Sequence, residues 1–487
     1  MQMGFLSDVA EAQIAIKSRT GQRNSKKIEK NIPDHLLLVG GKIDMRLLLC
    51  KISFIVSLYV ACQTMSAIAI ANTIAAARPS SIDIQSAIDA ASDGDTVRVA
   101  AGNAIWTSNV TIPSMKGIKL IGAGIGKTVC NLGGKYNIFL DTRSTNSPVR
   151  VSGFTFTNGP GRALKINART IGATDWRIDH CEWKGRSGKE AVVYIEGYTF
   201  GVIDNCNFIN TDRTFCVDGQ TRPFDTTGSP MPYPGGYSWQ QPIGGASAVY
   251  IEDCAFNNSS SSILGNTGAG ARLVFRHNTV TGPTGIETHS GCTNGYRNPR
   301  WIEVYENNFN ATTGYWCGLF LRSINGMIFN NIFSSSYQQA IRFDSESICG
   351  SSCNAGWPTA NKTVYPAQDQ IGAGIDTGWN TPQSTNEAKL RIWNNLRGVS
   401  PAATNVGSCA DSLMLVQHDR DYFLQVTQFD GSSGIGVGLL SARPSSGLTI
   451  GRYYWATDTN TLYRSTSSMT WEAHYMPFTY PHPLRSY

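Results

Sequence analysis

Three acidic residues fall at one position of a recurring phrase: Asp179, Asp204 and Glu252 each stand two residues before a cysteine. Stacked one above another, three carboxylates repel unless a cation or a base sits among them. A hard cation such as calcium takes several carboxylate oxygens in flexible geometry, so weak calcium binding at Asp179 with Asp204 or Glu252 is one expectation. Solvated surface acids, or acids paired with Arg177 and Arg276, are the other. A second group, Glu287-Thr288-His289-Ser290-Gly291, offers His289 as a general acid or base, or as a loop histidine bonded to backbone. The Pro- and Gly-rich stretch 216–247 carries Phe224, Tyr233, Tyr237 and Trp239. Such aromatics either stack against a sugar or pack their own loop onto a scaffold.

The scaffold is written in the same phrase. Ile178-Asp179-His180-Cys181-Glu182-Trp183 returns as Ile203-Asp204-Asn205-Cys206-Asn207-Phe208 and Ile251-Glu252-Asp253-Cys254-Ala255-Phe256. It continues as Phe275-Arg276-His277-Asn278-Thr279-Val280, Val304-Tyr305-Glu306-Asn307-Asn308-Phe309 and Ile328-Phe329-Asn330-Asn331-Ile332-Phe333. Aligned on the fourth residue, the spacings are 25, 48, 24, 29 and 24 residues. A period near 24 with one short strand per unit is the signature of a stacked solenoid, because no single unit buries its apolar side alone. Coils in a parallel stack sit about 4.8 Å apart, so like residues meet. Small cysteines at Cys181, Cys206 and Cys254 then pack inward. Asparagines at Asn278, Asn307 and Asn331 hydrogen-bond up the stack. The second column, running from Asp179 to Phe329, points outward, and the gap of 48 leaves room for an extra coil between Asp204 and Glu252. The fold expected is all-β: a right-handed parallel β-helix over 80–398, with 82–91 as an N-terminal capping helix.

At this point the chain resembles the pectate-lyase-like superfamily of parallel β-helix proteins. Ile263-Leu264-Gly265-Asn266, the His277-Asn278 strand end, Arg297-Asn298-Pro299-Arg300 and the Tyr305-Glu306-Asn307-Asn308 strand end are similar to motifs of pectate lyases, and so is Trp176-Arg177-Ile178-Asp179-His180. The resemblance implies cleavage of uronate-containing glycans by β-elimination. In that chemistry a cation neutralises the carboxylate and acidifies the adjacent C–H, and a positioned base takes the proton. Arg297 matches the family's base, with Arg300 or Arg276 holding the carboxylate. His277, Glu287, His289 and Trp239 complete the implied groove. Because guanidinium resists deprotonation, such a site must favour the neutral form. A further family arginine falls on Ile302, and a family acid on Arg162, which points to a substrate other than plain polygalacturonate. Two further readings stand beside the lyase. One is a non-catalytic glycan-binding surface protein of adhesin or tailspike type. The other is a glycoside hydrolase, which needs two carboxylates flanking the bond.

The remaining sequence sets the context. Residues 1–44 are polar and lack periodicity, and Met45-Arg46-Leu47-Leu48-Leu49 opens a secretory signal. We read Met45 as the start, cleavage after Ala71, and a secreted, periplasmic or cell-surface protein without a retained membrane span; an uncleaved anchor is the rival. Beyond residue 71 the chain carries 32 basic and 30 acidic groups, so no basic stripe suggests nucleic acid. Export permits disulfides, and Cys349 and Cys353 are close enough to pair. Residues 401–448 read as a C-terminal coil, and 449–487 as a small β-hairpin module whose end docks on the barrel.

Overall fold

The computed structural model describes residues 71–487 except 115, 142–146, 188–189, 219–243, 269, 289–298, 323, 345–370, 373, 376–381, 384–388 and 408–415. The expected signal segment, the Cys349–Cys353 pair and the aromatics of 219–243 therefore lie outside the described residues.

One coil shows how the sequence builds the barrel. Arg272–Arg276 forms a strand on a first face, His277 turns the corner, Thr279–Thr281 lies on a second face and Thr284–Thr288 on a third. The next coil repeats this with Trp301–Tyr305, Asn308–Asn310 and Tyr315–Arg322, each parallel to its predecessor. The first and third faces form one 20-stranded sheet, because Leu164–Asp179 and Val193–Asp204 run on from the third face to the first. The second face is an 11-stranded sheet. This is a right-handed parallel β-helix. Parallel pairing on the first face begins at Thr73–Ala76 and continues to Tyr422–Leu424.

The sharp corner between first and second faces needs a left-handed residue. His180, Asn205, Asp253, His277, Glu306, Asn330 and Asn394 take it, with φ between 48° and 56°. Asn, Asp and His tolerate that region best among residues with a Cβ. The next residue points inward, and there the expected column is found. Asn278 Nδ2 donates to Asn307 Oδ1 at 3.1 Å, Asn307 to Asn331 at 3.0 Å and Asn331 to Asn395 at 2.9 Å. Each amide also bonds the backbone, so no buried peptide group at the corner is orphaned. Two residues further, Phe156, Trp183, Phe208 and Phe256 stack at 5.4, 5.0 and 5.0 Å. Cys181, Cys206 and Cys254 are free and buried.

The N-terminal edge is covered by the helix Ser81–Ala90, whose Ser80 side chain caps Asp83 N at 3.2 Å and which buries Ile84, Ala87 and Ile88. Covering an open strand edge removes a site for unwanted pairing. At the far end of the second face, Leu396–Arg397 folds back on Ser400–Pro401 as an antiparallel pair. Ile435–Gly438, Tyr453–Ala456, Thr461–Ser465 and Trp471–Tyr475 make a separate four-stranded sheet. Among the described residues, no helix is long and apolar enough to cross a membrane.

Candidate functional site

On the first face the outward column is continuous. Asp179, Asp204, Glu252, Arg276, Tyr305 and Phe329 are successive cross-strand neighbours, so no extra coil separates Asp204 from Glu252. The three acids are nevertheless fully buried. Arg150 grips Asp179 with two bonds of 2.7 Å, Arg177 grips Asp204 at 2.8 and 2.9 Å, and Arg276 holds Glu252 from Nε at 2.7 Å. Arg485 enters from the C-terminal tail, 3.0 Å from Glu252 and 3.3 Å from Asp204, and pairs with Asp253 as well. The carboxylate oxygens are taken by guanidinium hydrogens, and four acids meet four arginines. This donor set does not fit calcium, and the arginine-paired alternative describes the column. Burial alone would raise the Asp179 carboxyl, but Arg150, His180 and Arg177 hold it below the usual carboxylate range.

Arg150, Arg177 and Arg276 each keep another nitrogen for the tail. Arg276 donates to Phe478 O at 2.7 Å and Thr479 O at 2.9 Å, Arg177 to Arg485 O at 2.6 Å, and Arg150 to the Tyr487 oxygen at 2.7 Å. His482 N–H donates to Glu252 at 2.9 Å, and the His482 ring is buried, which pushes its pKa down to about 4. Farther along the face, Tyr305, Phe329 and Trp393 stack at 4.6 and 4.4 Å beneath Trp455 and Tyr475. Tyr475 OH donates to the buried Glu303, whose carboxyl burial raises despite that bond. His277 is a corner residue, 3.1 Å from Glu306 and stacked on Tyr480 at 3.7 Å. Burial lowers its pKa against the pull of Glu306. The chain's own C-terminus therefore occupies this face. Arg276 and His277, expected to bind substrate, serve that docking instead.

The third face differs. Lys165, Tyr194, Cys216, Asn266, Glu287, Phe320 and Arg342 are successive outward neighbours, and all seven remain partly exposed. Glu287 pairs with Arg322, whose Nε also donates to Thr288 O at 2.8 Å. Lys165 lies 3.2 Å from Glu196. Phe320 sits between two guanidinium groups, Arg322 at 5.1 Å and Arg342 at 5.6 Å from its ring centre, and Trp316 meets it edge-on at 5.0 Å. Trp316 is 41% exposed.

Connection lengths mark the same face. The chain passes from first to second face in a residue or two, but the connections leaving the third face span 219–248, 289–300 and 345–389. Long loops on a rigid scaffold are where binding sites concentrate. Arg297, His289 and Trp239 fall in these connections and lie outside the described residues. Arg300 is described and is only 5% exposed, its N–H bonded to Ala271 O at 2.8 Å, so its side chain is not presented to solvent as a carboxylate holder. Of the expected site residues, the structure thus sets Glu287 on the third face and Arg276 and His277 on the first. These do not line one groove. Sequence reading passed over Trp316, Phe320, Arg322 and Arg342. For three of them the signal was strand alternation: Leu319, Leu321, Ile341 and Phe343 belong to the core, and Phe320, Arg322 and Arg342 alternate with them and point out; Trp316 falls outside that alternation, which breaks at the core-facing Gly318.

No protein-family profile and no curated protein matches the chain. Among solved structures, a point mutant of the PL6-family alginate lyase AlyGC is similar at 13% identity with a TM-score of 0.31, over 85% of this chain and 57% of that one. Tailspike protein 3 of bacteriophage CBA120 is similar at 10% identity with a TM-score of 0.20, over 81% of this chain and 66% of that one.

Proposed function

We propose that the third face is the working surface of a secreted carbohydrate-active protein that cleaves a uronate-containing polysaccharide by β-elimination. The observation that carries this reading is the open row on that face, where Lys165, Tyr194, Phe320 and Arg342 remain partly exposed on the face from which the connections 219–248, 289–300 and 345–389 depart. A glycan is an extended ligand, and a row repeated at coil spacing presents one contact after another along it. Aromatic rings meet sugar C–H faces, while guanidinium groups take carboxylates in charge-assisted bonds.

A second feature favours elimination over hydrolysis. Hydrolysis needs one carboxylic acid and one carboxylate flanking the scissile bond. On this face Glu287 is paired with Arg322, Glu196 with Lys165, and Asp344 lies 3.6 Å from Arg342, so each of these three acids has a cation beside it. In elimination the work falls to cations, which neutralise the uronate carboxylate, and to one base that removes the adjacent proton. We assign the base to Arg297, in the connection that follows the Glu287 strand.

The test is a screen of purified protein against acidic and neutral polysaccharides, following the ultraviolet absorbance of unsaturated ends, with Arg297→Lys alongside wild type. Loss of a positioned base is expected to slow the wild-type reaction by roughly 10²–10⁴-fold. Equal activity in the two proteins moves the base elsewhere. Saturated products favour a hydrolase, and binding without cleavage favours a surface glycan-binding protein.

A further inference from the structure

We infer that the C-terminal segment 478–487 is an acid-operated latch: protonation of His482 lifts it off the first face while the barrel beneath stays folded. The inference does not depend on the third-face reading.

The segment closes on one short turn. Pro483–Ser486 is a 3-10 turn capped by His482, whose Nδ1 accepts the Leu484 N–H at 3.2 Å. That bond fixes the neutral ring with its proton on Nε2. The ring packs 4.6 Å from Tyr250 and 5.4 Å from Phe478, and its backbone N–H donates to Glu252 at 2.9 Å. The same turn carries Arg485 to Asp204, Glu252 and Asp253. One neutral imidazole thus holds both the apolar and the charged anchor of the segment in place.

A second proton must go to Nδ1. There it turns an acceptor into a donor facing the Leu484 N–H, and the new charge is buried. Glu252 favours the charged ring, but its oxygens already receive Arg276, Arg485 and the His482 N–H. Arg276 and Arg485 oppose the charge, and burial outweighs all three, so the ring's pKa falls to about 4. The other groups nearby bring little relief. Asp204 and Asp253 are engaged by Arg177 and Arg485, and the Tyr250 OH donates to Gly245 O. Asp175, on the wall of a cavity of about 230 Å³ that His482 also lines, is exposed to solvent. Once off the face, the ring meets water and takes a proton at its ordinary pKa of 6.5, so falling pH favours the undocked segment between that value and about 4. The pairs Arg150–Asp179, Arg177–Asp204 and Arg276–Glu252 are made within the barrel and remain when the segment leaves.

Hydrogen exchange of the full chain tests this, read by mass spectrometry on peptides from the tail and from the barrel strands and corrected for the intrinsic pH dependence of exchange. Wild-type tail amides are expected to lose about a hundredfold of their protection between pH 7 and about pH 4, at close to tenfold per pH unit, the slope of one proton. Barrel amides should keep theirs. His482→Asn retains a side-chain oxygen that caps the turn but does not titrate, so its tail should stay protected across the range. Constant protection in wild type, or equal loss in wild type and His482→Asn, overturns the latch. Tail and barrel deprotecting together make the acid effect global unfolding and overturn it as well. Where His482→Asn fails to dock even at pH 7, the wild-type slope decides, and a dependence far from one proton counts against His482.

Discussion

The first and third faces are cut from the same coils and carry the same side-chain types, arginine, acid and aromatic ring, yet they end in opposite states. On the first face every arginine of the acid column bonds a carboxylate with one edge and a tail carbonyl with another, and the stacked rings lie under Trp455 and Tyr475. On the third face Arg342 keeps a buried nitrogen without a partner and Trp316 stands in solvent. Residue type therefore does not distinguish the two faces. The distinction lies in whether the chain itself satisfies the hydrogen-bonding capacity of the group.

The sharpest way to break this comparison is to truncate one arginine on each face. Arg276→Ala leaves Glu252 buried with half its compensation gone, and breaking a buried pair from one side costs about 3–5 kcal/mol. Arg342→Ala removes a partly exposed cation whose nearest acid is 3.6 Å away, and surface changes of this kind stay within about 1 kcal/mol. Urea unfolding of both variants measures the difference. Equal losses would mean that the third face is as structural as the first.

Much of this contrast was hidden in the sequence for an identifiable reason. The repeat fixed which residues stack: the columns from Asp179 to Phe329 and from Cys181 to Asn331 are the observed registers, because a period near one coil leaves little freedom of alignment. What covers a column was not legible. Arg485 meets Asp204 and Glu252 from more than 200 positions away in the chain, and no local pattern encodes such a contact. Arg150 was missed as the partner of Asp179 because its strand, Val149–Ser152, precedes the repeated phrase. The acids thus read as a cation site when their counter-charges were already in the chain. Glu287 was grouped with Arg276 and His277 by nearness in the chain, yet it lies on the third face and they lie on the first.

Acid offers a second, smaller contrast. His482 is held neutral in the folded tail, its pKa lowered by burial from 6.5 to about 4, and His474 in the module is lowered to about 2. The unfolded chain therefore binds more protons than the folded one below pH 6.5, and stability must fall as pH drops through that window. For His482 alone the loss approaches roughly 3 kcal/mol near pH 4. The depressed Asp179 adds a further loss only below the ordinary carboxylate range, while the raised Glu303 acts in the opposite sense. Melting curves between pH 7 and about 4 should show the first-face docking weakening, read from the fluorescence of Trp455 and Trp471. Constant stability across that range would argue against a buried, neutral His482.

The smallest expected effect is that of calcium, and it tests the comparison most directly. Asp179, Asp204, Glu252 and Asp253 are matched by Arg150, Arg177, Arg276 and Arg485. A divalent cation entering this column would have to displace bidentate guanidinium groups and carry the tail away with them, losing several charge-assisted bonds to form its own. Titrating calcium into the protein at neutral pH should therefore give no heat attributable to this face. Asp179→Ala should lower the melting temperature through the unpaired Arg150, with or without calcium. Heat that vanishes in Asp179→Ala would show that the ladder opens to a cation, and the first face would then be a binding surface under a displaceable cover. Heat that persists in Asp179→Ala would place a cation site away from the column.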